Sequence, residues 1–292
     1  MLIESVEAAP AKVNLALHVV GRRADGYHSL ESLVVFVDVA DEVRIAPAAF
    51  AEFTLTGPFA EGLRAEETNL VTRAVAGFTE RWPGRAPHPL KITLVKNLPI
   101  ASGLGGGSAD AAAALRAMSR LCDAPPTLAE LSDLGLGLGA DVPVCLLSRP
   151  AEMRGIGEII HPLPTFPALH MVLVNPMQPV ATGEVFRRLA RRDNPAMPGL
   201  PSPMDRPAQL ALWLEETRND LEAPAVALVP EIGALIAELN AIDAVILARM
   251  SGSGATVFGL FASAAQAHDA AHHLRQRHPD YWVAAAPVIA AQ

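Results

Sequence analysis

The stretch Lys96-Asn-Leu-Pro-Ile-Ala-Ser-Gly-Leu-Gly-Gly-Gly-Ser-Ala-Asp110 places four glycines in one turn, directly before an alanine-rich run at residues 111–121 that favours a helix. Glycine lets the backbone adopt conformations closed to other residues and approach a ligand closely. The N–H groups that begin a helix lack partners within it and point at any anion there. The stretch therefore predicts a phosphate-binding loop, with a nucleotide as the expected ligand.

Two common nucleotide-binding signatures do not fit this stretch. A P-loop requires Gly-x-x-x-x-Gly-Lys followed by Ser or Thr, and no lysine follows these glycines. The dinucleotide-binding pattern Gly-x-Gly-x-x-Gly fails because Ser108 stands in the sixth position counted from Gly103. A looser match begins at Gly135, but it follows a helix-like segment, so we interpret it as chance. A tight turn without a ligand remains the alternative interpretation of residues 103–107.

Composition places the chain among globular proteins. Its 292 residues, 51% apolar and 18% charged, are enough for two domains. Because no apolar stretch is long enough to span a membrane and the acidic start does not resemble a signal peptide, we expect a cytoplasmic protein. Cys122 and Cys145 are then expected to be buried thiols. The net charge of −8 argues against nucleic-acid binding but does not exclude a phosphorylated small molecule, which local lysines and backbone N–H groups can hold.

The periodicity of the sequence predicts an α+β protein. Residues 12–20 alternate with a period of two, which predicts a strand with Lys12 and Asn14 on its more polar face; a solvated edge strand is the alternative. Residues 32–39 and 42–45 predict further strands of an antiparallel sheet. The remaining predicted elements are helices at 69–81, 128–134, 209–219, 231–240 and 264–278, and strands at 91–95, 144–147, 169–174, 244–248, 255–261 and 282–286.

Four segments, at residues 10–15, 99–109, 139–143 and 251–256, resemble one family in their order and spacing. The second, Pro99-Ile-Ala-Ser-Gly-Leu-Gly-Gly-Gly-Ser-Ala109, matches the pattern Pro-x-x-x-Gly-Leu-Gly-x-x-Ser-Ala of the galactose, homoserine, mevalonate and phosphomevalonate (GHMP) kinase superfamily. The resemblance implies a two-domain α+β fold. An N-terminal domain of ribosomal-protein type would cover residues 1–155, a ferredoxin-like domain would cover residues 156–292, and a cleft would lie between them.

The segment Arg22-Arg-Ala-Asp-Gly-Tyr-His-Ser-Leu30 discriminates within the superfamily. Its Asp-Gly-Tyr-His is similar to the branch that phosphorylates a cytidyl diphosphate substrate in non-mevalonate isoprenoid synthesis. The resemblance implies transfer of the ATP γ-phosphoryl group to a hydroxyl of the methylerythritol portion. Asp141 would accept the hydroxyl proton, and Lys12 would lie against both Asp141 and the transferring group. Mg²⁺ is expected to bind the ATP phosphates, with few protein ligands. The protein is expected to be a monomer or a homodimer.

The same resemblance assigns binding residues. Tyr27, His28 and Phe186 would hold the flat cytosine base by stacking. Asn14 would bind the substrate, and Thr182 would contact its diphosphate. The implied ATP-binding residues are the loop and two flanking side chains: Pro99, Ile100, Ala101, Ser102, Gly103, Leu104, Gly105, Gly106, Gly107, Ser108, Ala109, Lys96 and Asn69.

Two alternatives remain open. Another kinase of the superfamily, acting on mevalonate, homoserine or a sugar, would share the ATP loop but would not need Tyr27 and His28 for a cytosine. A non-catalytic nucleic-acid-binding module is the other class, because the N-terminal domain resembles a ribosomal-protein fold. The acidic charge and the combination of Lys12 with Asp141 argue against it. The Pro-rich segment at residues 194–207 has no role that the sequence assigns.

Overall fold

The computed structural model describes residues 4–63 and 69–291. The strands are β1 (Ser5–Arg22), β2 (His28–Pro47), β3 (Glu52–Thr56), β4 (Leu90–Val95), β5 (Ala151–Gly155), β6 (Ile159–Pro162), β7 (His170–Asn175), β8 (Leu247–Met250), β9 (Val257–Phe261) and β10 (Trp282–Pro287). The helices are α1 (Leu70–Arg81), α2 (Gly106–Arg120), α3 (Leu128–Leu138), α4 (Val142–Leu147), α5 (Thr182–Arg187), α6 (Pro207–Glu215), α7 (Glu222–Val226), α8 (Pro230–Asn240) and α9 (Ala264–Arg277). Within these described residues, no helix is both long and apolar enough to cross a membrane.

The chain forms two compact units, each containing helices and strands. Unit 1 comprises residues 1–11, 39–100 and 105–148, and unit 2 comprises residues 12–38, 101–104 and 149–292. The chain passes from one unit to the other five times: within β1, within β2, twice around the glycine loop and once after α4. Each unit therefore carries some of the residues that the sequence predicts to be functional.

Unit 1 contains a sheet and a group of four helices. The end of β2 pairs antiparallel with β4, and β4 pairs parallel with β3. The sheet is therefore mixed, because β3, a strand that the sequence did not predict, pairs parallel with β4. Helices α1, α2, α3 and α4 pack on one another around fully buried side chains that include Phe78, Leu115 and Met118. Helix α2 is buried around most of its circumference, as its alanine-rich sequence requires.

Residues 144–147 belong to helix α4, so the strand predicted there is wrong. A run of four apolar residues does not distinguish a buried helix from a buried strand by periodicity. Pro143 lies in the first turn of α4, where its missing N–H leaves no hydrogen bond unmade. The helix packs against α2 and α3, which explains why its residues are apolar and why Cys145 is buried.

Unit 2 is built on an antiparallel sheet in the order β10-β7-β9-β8. Helices α8 and α9 pack on this sheet, and their apolar faces bury Leu235 and Leu274 in a core with Val174 and Phe261. The first part of β2 pairs antiparallel with β5, which pairs antiparallel with β6. The predicted elements of this region are confirmed with shifted ends. Thus β8 begins at Leu247 instead of residue 244, and α6 ends at Glu215 instead of residue 219.

The Pro-rich segment at residues 194–207 is anchored on β1 and β2. The backbone N–H of Asn194 donates to the carbonyl of Val19 at 3.2 Å, and that of Met197 donates to Glu31 Oε2 at 2.6 Å. Farther along, Trp213 Nε1 of α6 donates to the carbonyls of Pro198 and Gly199. The segment therefore has a structural role that the sequence did not indicate: it connects the end of β1 at Val19 with β2 at Glu31 and with α6.

Candidate functional site

Strand β1 enters unit 2 at Lys12. Lys12 and Asn14 lie at the beginning of this part of the strand, and they are 4% and 3% exposed. Lys12 Nζ donates to Asn14 Oδ1 at 3.0 Å, and the Lys12 backbone N–H donates to the carbonyl of Leu104 in the glycine loop at 2.9 Å. The alternation of the strand places these two polar side chains on one face, as predicted. The alternative interpretation, a solvated edge strand, does not hold, because both side chains are buried. Lys12 is thus held at both its backbone and its ammonium group.

The part of the glycine loop that belongs to unit 2, residues 101–104, is fixed by the turn at residues 251–254. Gly103 has φ +78°, and a Cβ placed on it would lie 2.4 Å from the carbonyl oxygen of Ser251 and 2.9 Å from that of Gly254. Glycine is therefore required at 103 because the backbone of residues 251–254 lies against it. Ser251 Oγ donates to the Gly103 carbonyl at 2.9 Å and accepts from the backbone N–H of Asn14 at 3.2 Å. One hydroxyl thus connects the loop to β1.

The part of the loop that belongs to unit 1 leads directly into helix α2. Gly105, with φ +64°, is the residue before the helix, and the helix begins at Gly106. Gly106, Gly107, Ser108 and Ala109 therefore form its first turn, five residues earlier than the sequence predicts. The N–H groups of that turn and the positive end of the helix dipole form an arrangement that can bind a phosphate. Pro99 is buried before this turn, and Ile100 is 39% exposed.

Asp141 lies in unit 1 at the residue before α4, where a carboxylate commonly caps the helix. Its side chain makes no capping hydrogen bond to the described N–H groups of α4. Gly139, two residues earlier, lies beside the first turn of α2, since a Cβ placed on Gly139 would be 3.8 Å from Ser108 Oγ. The fold of unit 1 thus brings the Asp141 turn and the helical end of the glycine loop together.

Lys96 is buried in unit 1 between two carboxylates that sequence reasoning missed. Its ammonium forms ion pairs with Asp41 Oδ2 and, at 2.7 Å, with Asp110 Oδ2. Asp41 also accepts the backbone N–H groups of Asn97 and Leu98 at 2.5 and 2.8 Å. The cluster therefore fixes the chain where β4 leaves the sheet and enters the glycine loop. The one available signal was Asp110 itself, a charged residue within the alanine run of a buried helix.

Burial and the attraction between opposite charges shift the pKa values of Lys96 and Asp110 in opposite directions. Burial raises the pKa of Asp110 to about 7, since the nearby Lys96 only partly offsets the loss of water and Asp41 adds repulsion. Burial also acts to lower the pKa of Lys96, but attraction to Asp110 and Asp41 outweighs it, so the pKa is raised. Asp110 Oδ1 has no hydrogen-bond partner within the part of the chain that the structure describes. Lys96 is thus a charged group between two carboxylates, and its assignment to ATP stays a prediction.

Asn69 is the N-cap residue of α1. Its Oδ1 accepts from the backbone N–H of Thr72 at 3.0 Å, and Thr72 Oγ1 accepts from the backbone N–H of Asn69 at 3.2 Å. This reciprocal capping box satisfies two N–H groups that the helix leaves unpaired. The side-chain amide nitrogen of Asn69 has no capping role, and its predicted contact with ATP stays a prediction.

In unit 2, the ring of His28 stacks on that of Phe186, with centroids 4.9 Å apart and 26° between the planes. Burial lowers the pKa of His28, and the positive charges of Arg192 and Arg22 lower it further, so the imidazole is neutral at pH 7. Its buried Nε2 has no hydrogen-bond partner among the described residues. Tyr27, beside it, is 62% exposed. Two of the three predicted stacking residues are thus in contact with each other.

Thr182, at the start of α5, lies beside the turn at residues 251–254. The hydroxyls of Thr182 and Ser253 are 2.8 Å apart, so one donates to the other. Because each hydroxyl has one proton and two lone pairs, the pair keeps further hydrogen-bonding capacity. Thr182 therefore lies beside a second hydroxyl, that of Ser253, which could bind the same diphosphate. The contact of Thr182 with the diphosphate stays a prediction.

The described residues contain no group of three or more His, Cys, Asp or Glu side chains that could hold a metal ion. Structural and catalytic metal sites of protein side chains usually use at least three such ligands. Mg²⁺ differs, because it often keeps water and substrate phosphates as most of its ligands. The residues present thus do not form a metal cage of their own.

Two family models match the chain: the GHMP kinases N-terminal domain at residues 69–149 and the GHMP kinases C-terminal domain at residues 203–280. A relative from Paracoccus denitrificans, named 4-diphosphocytidyl-2-C-methyl-D-erythritol kinase, is 55% identical over 98% of this chain and 97% of its own length. A Rhizobium leguminosarum relative of the same name is 51% identical over 97% of this chain and 94% of its own.

A solved structure supports the same relationship. The crystal structure of a 4-(cytidine 5'-diphospho)-2C-methyl-D-erythritol kinase superposes with a TM-score of 0.78 and 35% identity, and the match covers 97% of this chain and 98% of that chain. The two-domain α+β fold predicted from the sequence is thereby confirmed, as is the resemblance to small-molecule kinases. The chain belongs to the 4-diphosphocytidyl-2-C-methyl-D-erythritol kinase family of the GHMP kinases.

Proposed function

We propose that this chain phosphorylates the 2-hydroxyl of 4-diphosphocytidyl-2-C-methyl-D-erythritol with ATP, giving the 2-phosphate and ADP, in the non-mevalonate route to isopentenyl diphosphate. The observation that carries the proposal is the 55% identity, over almost the whole of both chains, to a relative that bears this kinase's name. The geometry within each unit supports the roles proposed below for several of the predicted residues.

Phosphoryl transfer depends mainly on positioning and on neutralising charge. Bound ATP supplies the phosphoryl group. Asp141 accepts the proton of the acceptor hydroxyl, a role supported by its place in the turn that lies beside the first turn of α2. Lys12, whose ammonium is oriented by Asn14 at 3.0 Å, offsets the negative charge that develops on the phosphoryl oxygens.

The glycine loop is proposed to hold the ATP phosphates. The N–H groups of the first turn of α2, which begins at Gly106, provide donors for phosphate oxygens without any lysine in the loop. Mg²⁺ would be held mainly by the phosphates, in keeping with its preference for phosphate and water oxygens. Lys96 and Asn69 are proposed to lie close to the nucleotide, although their charged or capping groups are already engaged within unit 1.

The cytidine end of the substrate is proposed to bind at His28 and Phe186. A stacked pair of aromatic rings offers a flat surface to a base. The neutral imidazole of His28 has a buried Nε2 that can pair with a polar edge of the cytosine, and exposed Tyr27 can close over the base. Thr182 is proposed to donate to the diphosphate, next to Ser253.

The proposal is tested by ADP release from magnesium-ATP with four acceptors: 4-diphosphocytidyl-2-C-methyl-D-erythritol, mevalonate, homoserine and galactose. We expect turnover with the cytidyl compound alone, and mass spectrometry with fragmentation to place the new phosphate on its 2-hydroxyl. Turnover with another acceptor would reject the substrate while leaving the kinase chemistry, and ADP release with none of the four would reject the activity.

The Asp141→Asn variant tests the chemical role assigned to that carboxylate. We expect it to keep its thermal stability and its affinity for ATP while turnover falls by about 100-fold or more, the usual contribution of a general base. Turnover within a few-fold of that of the unmodified protein would exclude Asp141 as the proton acceptor.

A further inference from the structure

A chain of buried hydrogen bonds in unit 2 ends at the ammonium group of Lys12. Ser32 Oγ, on β2, donates to the carbonyl of Ala16 at 2.6 Å. Asn14 Nδ2 donates to Ser32 Oγ at 2.8 Å, and Lys12 Nζ donates to Asn14 Oδ1 at 3.0 Å. Ser32 is 3% exposed, as buried as the two residues that it supports. None of these three links passes through solvent.

The chemistry of the groups fixes the direction of every link. The carbonyl of Ala16 can only accept, so the single hydroxyl proton of Ser32 must be donated to it. Ser32 Oγ therefore has only lone pairs for Asn14, and it selects the NH₂ side of that amide. The carbonyl side of Asn14 consequently faces Lys12, whose ammonium can only donate. The Ser32 hydroxyl and the Lys12 ammonium thus favour the same orientation of the Asn14 amide, and each holds one end of it.

The backbone of Asn14 does not hold the side-chain amide in place. The backbone N–H of Asn14 is held by Ser251 Oγ at 3.2 Å, which places the strand but leaves the side-chain amide able to move. Without the Ser32 hydroxyl, the buried amide NH₂ would lose its acceptor, and the bond to Lys12 alone would hold the amide. An amide that shifts to find a new acceptor would take Oδ1 away from Lys12 Nζ, and the ammonium would move.

We infer that Ser32 is a positioning residue for phosphoryl transfer, acting on Lys12 through Asn14. The inference rests on the role proposed above for Lys12. A displacement of a charge-stabilising group by a fraction of an ångström to 1 Å lowers the rate of the chemical step far more than it lowers substrate affinity. Loss of the Ser32 hydroxyl should therefore reduce kcat and leave the KM for ATP nearly unchanged.

The test compares Ser32→Ala with the matched variant Ser32→Thr, which keeps the hydroxyl. We expect Ser32→Ala to lower kcat by roughly 10- to 100-fold with a change of less than about 3-fold in the KM for ATP. Ser32→Thr should recover most of that loss. If Ser32→Ala does not fold, as thermal unfolding will show, Ser32→Cys fills nearly the same space with a poor hydrogen-bonding group and should show the same loss of kcat.

A double-mutant cycle with Lys12→Met separates positioning from a purely structural role. Because Ser32 acts through Lys12, the Ser32→Ala change should cause no further loss of kcat in the Lys12→Met protein. An equal loss in both backgrounds, or unchanged kcat in Ser32→Ala, would overturn the inference while leaving the proposed function intact. Full turnover by Lys12→Met would instead reject the proposed role of Lys12, and the role of Ser32 with it.

Discussion

The imidazole of His28 lies stacked on the ring of Phe186, 4.9 Å between centroids, with its buried Nε2 unpartnered among the described residues. A stacked aromatic pair is an efficient surface for a planar base, and a buried polar atom discriminates strongly between bases that do and do not pair with it. The pair therefore combines two stacked rings with a buried ring nitrogen that has no partner among the described residues.

Replacing Phe186 by alanine should weaken binding of the cytidyl substrate. The lost stacking face corresponds to about 0.5–1.5 kcal/mol beyond burial, so we expect the KM for that substrate to rise by roughly 3- to 10-fold or more. The KM for ATP should not change. Phe186→Tyr, which keeps the ring, is the control, and steady-state kinetics with each substrate varied in turn is the measurement. An equal rise in both KM values would show that the ring supports the fold and not the base.

Lys96→Met should destabilise the protein by about 3 kcal/mol or more, because it leaves two buried carboxylates without their cation. Denaturant unfolding measures this free energy. Lys91→Met is the control on the same strand: Lys91 forms an exposed ion pair with Glu52 at 3.4 Å, so its loss should cost less than about 1 kcal/mol. If Lys96→Met instead keeps its stability and raises only the KM for ATP, the main role of Lys96 is nucleotide binding.

Gly103→Ala should be severely destabilising for two reasons: φ is +78°, and the added Cβ would lie 2.4 Å from the Ser251 carbonyl oxygen.

Alanine substitutions at two other glycines separate the backbone strain from the steric clash. Gly84 has φ +74° but open space around it, so Gly84→Ala should cost about 1 kcal/mol of backbone strain alone. Gly137, in α3, has open space and an ordinary φ, so alanine there should stabilise by about 0.5–1 kcal/mol. Thermal unfolding should rank the variants in this order, and a Gly103→Ala protein as stable as Gly84→Ala would contradict the close approach.

His18 should make stability depend on pH. Its Nε2 accepts from the backbone N–H of Arg218 at 3.1 Å, and its Nδ1 lies 3.3 Å from the carbonyl of Pro195, so the neutral form fits. Burial, reinforced by Arg218, lowers the pKa of His18 below its ordinary value of 6.5. The unfolded chain therefore binds this proton more tightly than the folded chain does. The contribution of His18 to the free energy of unfolding is complete above pH 6.5 and is lost as the pH falls from 6.5 through the lowered pKa.

The measurement for His18 is the free energy of unfolding between pH 5 and pH 8. His18→Gln should lower stability at pH 8 yet show a smaller loss on acidification than the unmodified protein. His268→Gln, at an exposed position on α9, is the control and should leave the slope unchanged. An unchanged slope in His18→Gln would mean that His18 keeps the same protonation in the folded and unfolded chain.

Elements with a sustained period were predictable from the sequence, and contacts between distant residues were not. The alternation in residues 12–20 predicted β1, and the helix predicted at residues 69–81 corresponds to α1. Helix α4 was not predicted because a short apolar run does not show whether it repeats as a helix or as a strand. The parallel pairing of β3 was not predicted because the choice of a pairing partner leaves no local pattern in the sequence. Asp41 and Lys96 are 55 residues apart, so no spacing rule joined them.

The candidate site divides in the same way. The glycine motif predicted the loop and its helix, but the contacts that hold them were found only in the structure: those of Asp41, Asp110 and Ser251. These contacts join residues that are far apart in the sequence, so no local pattern indicates them. The roles of Lys12 and Asp141 rest on the family resemblance and stay predictions until their variants are measured.

The hydrogen bond from Ser251 to Gly103 spans 148 residues of sequence, which has a consequence for the order of folding. A contact with such a large sequence separation forms slowly, because a long loop must close before any stabilisation is gained. The conformation of residues 101–104 is therefore completed only after the turn at residues 251–254 has been synthesised and folded. During translation, an emerging N-terminal half would carry the whole glycine motif in its sequence and yet lack the turn at residues 251–254 that fixes its conformation.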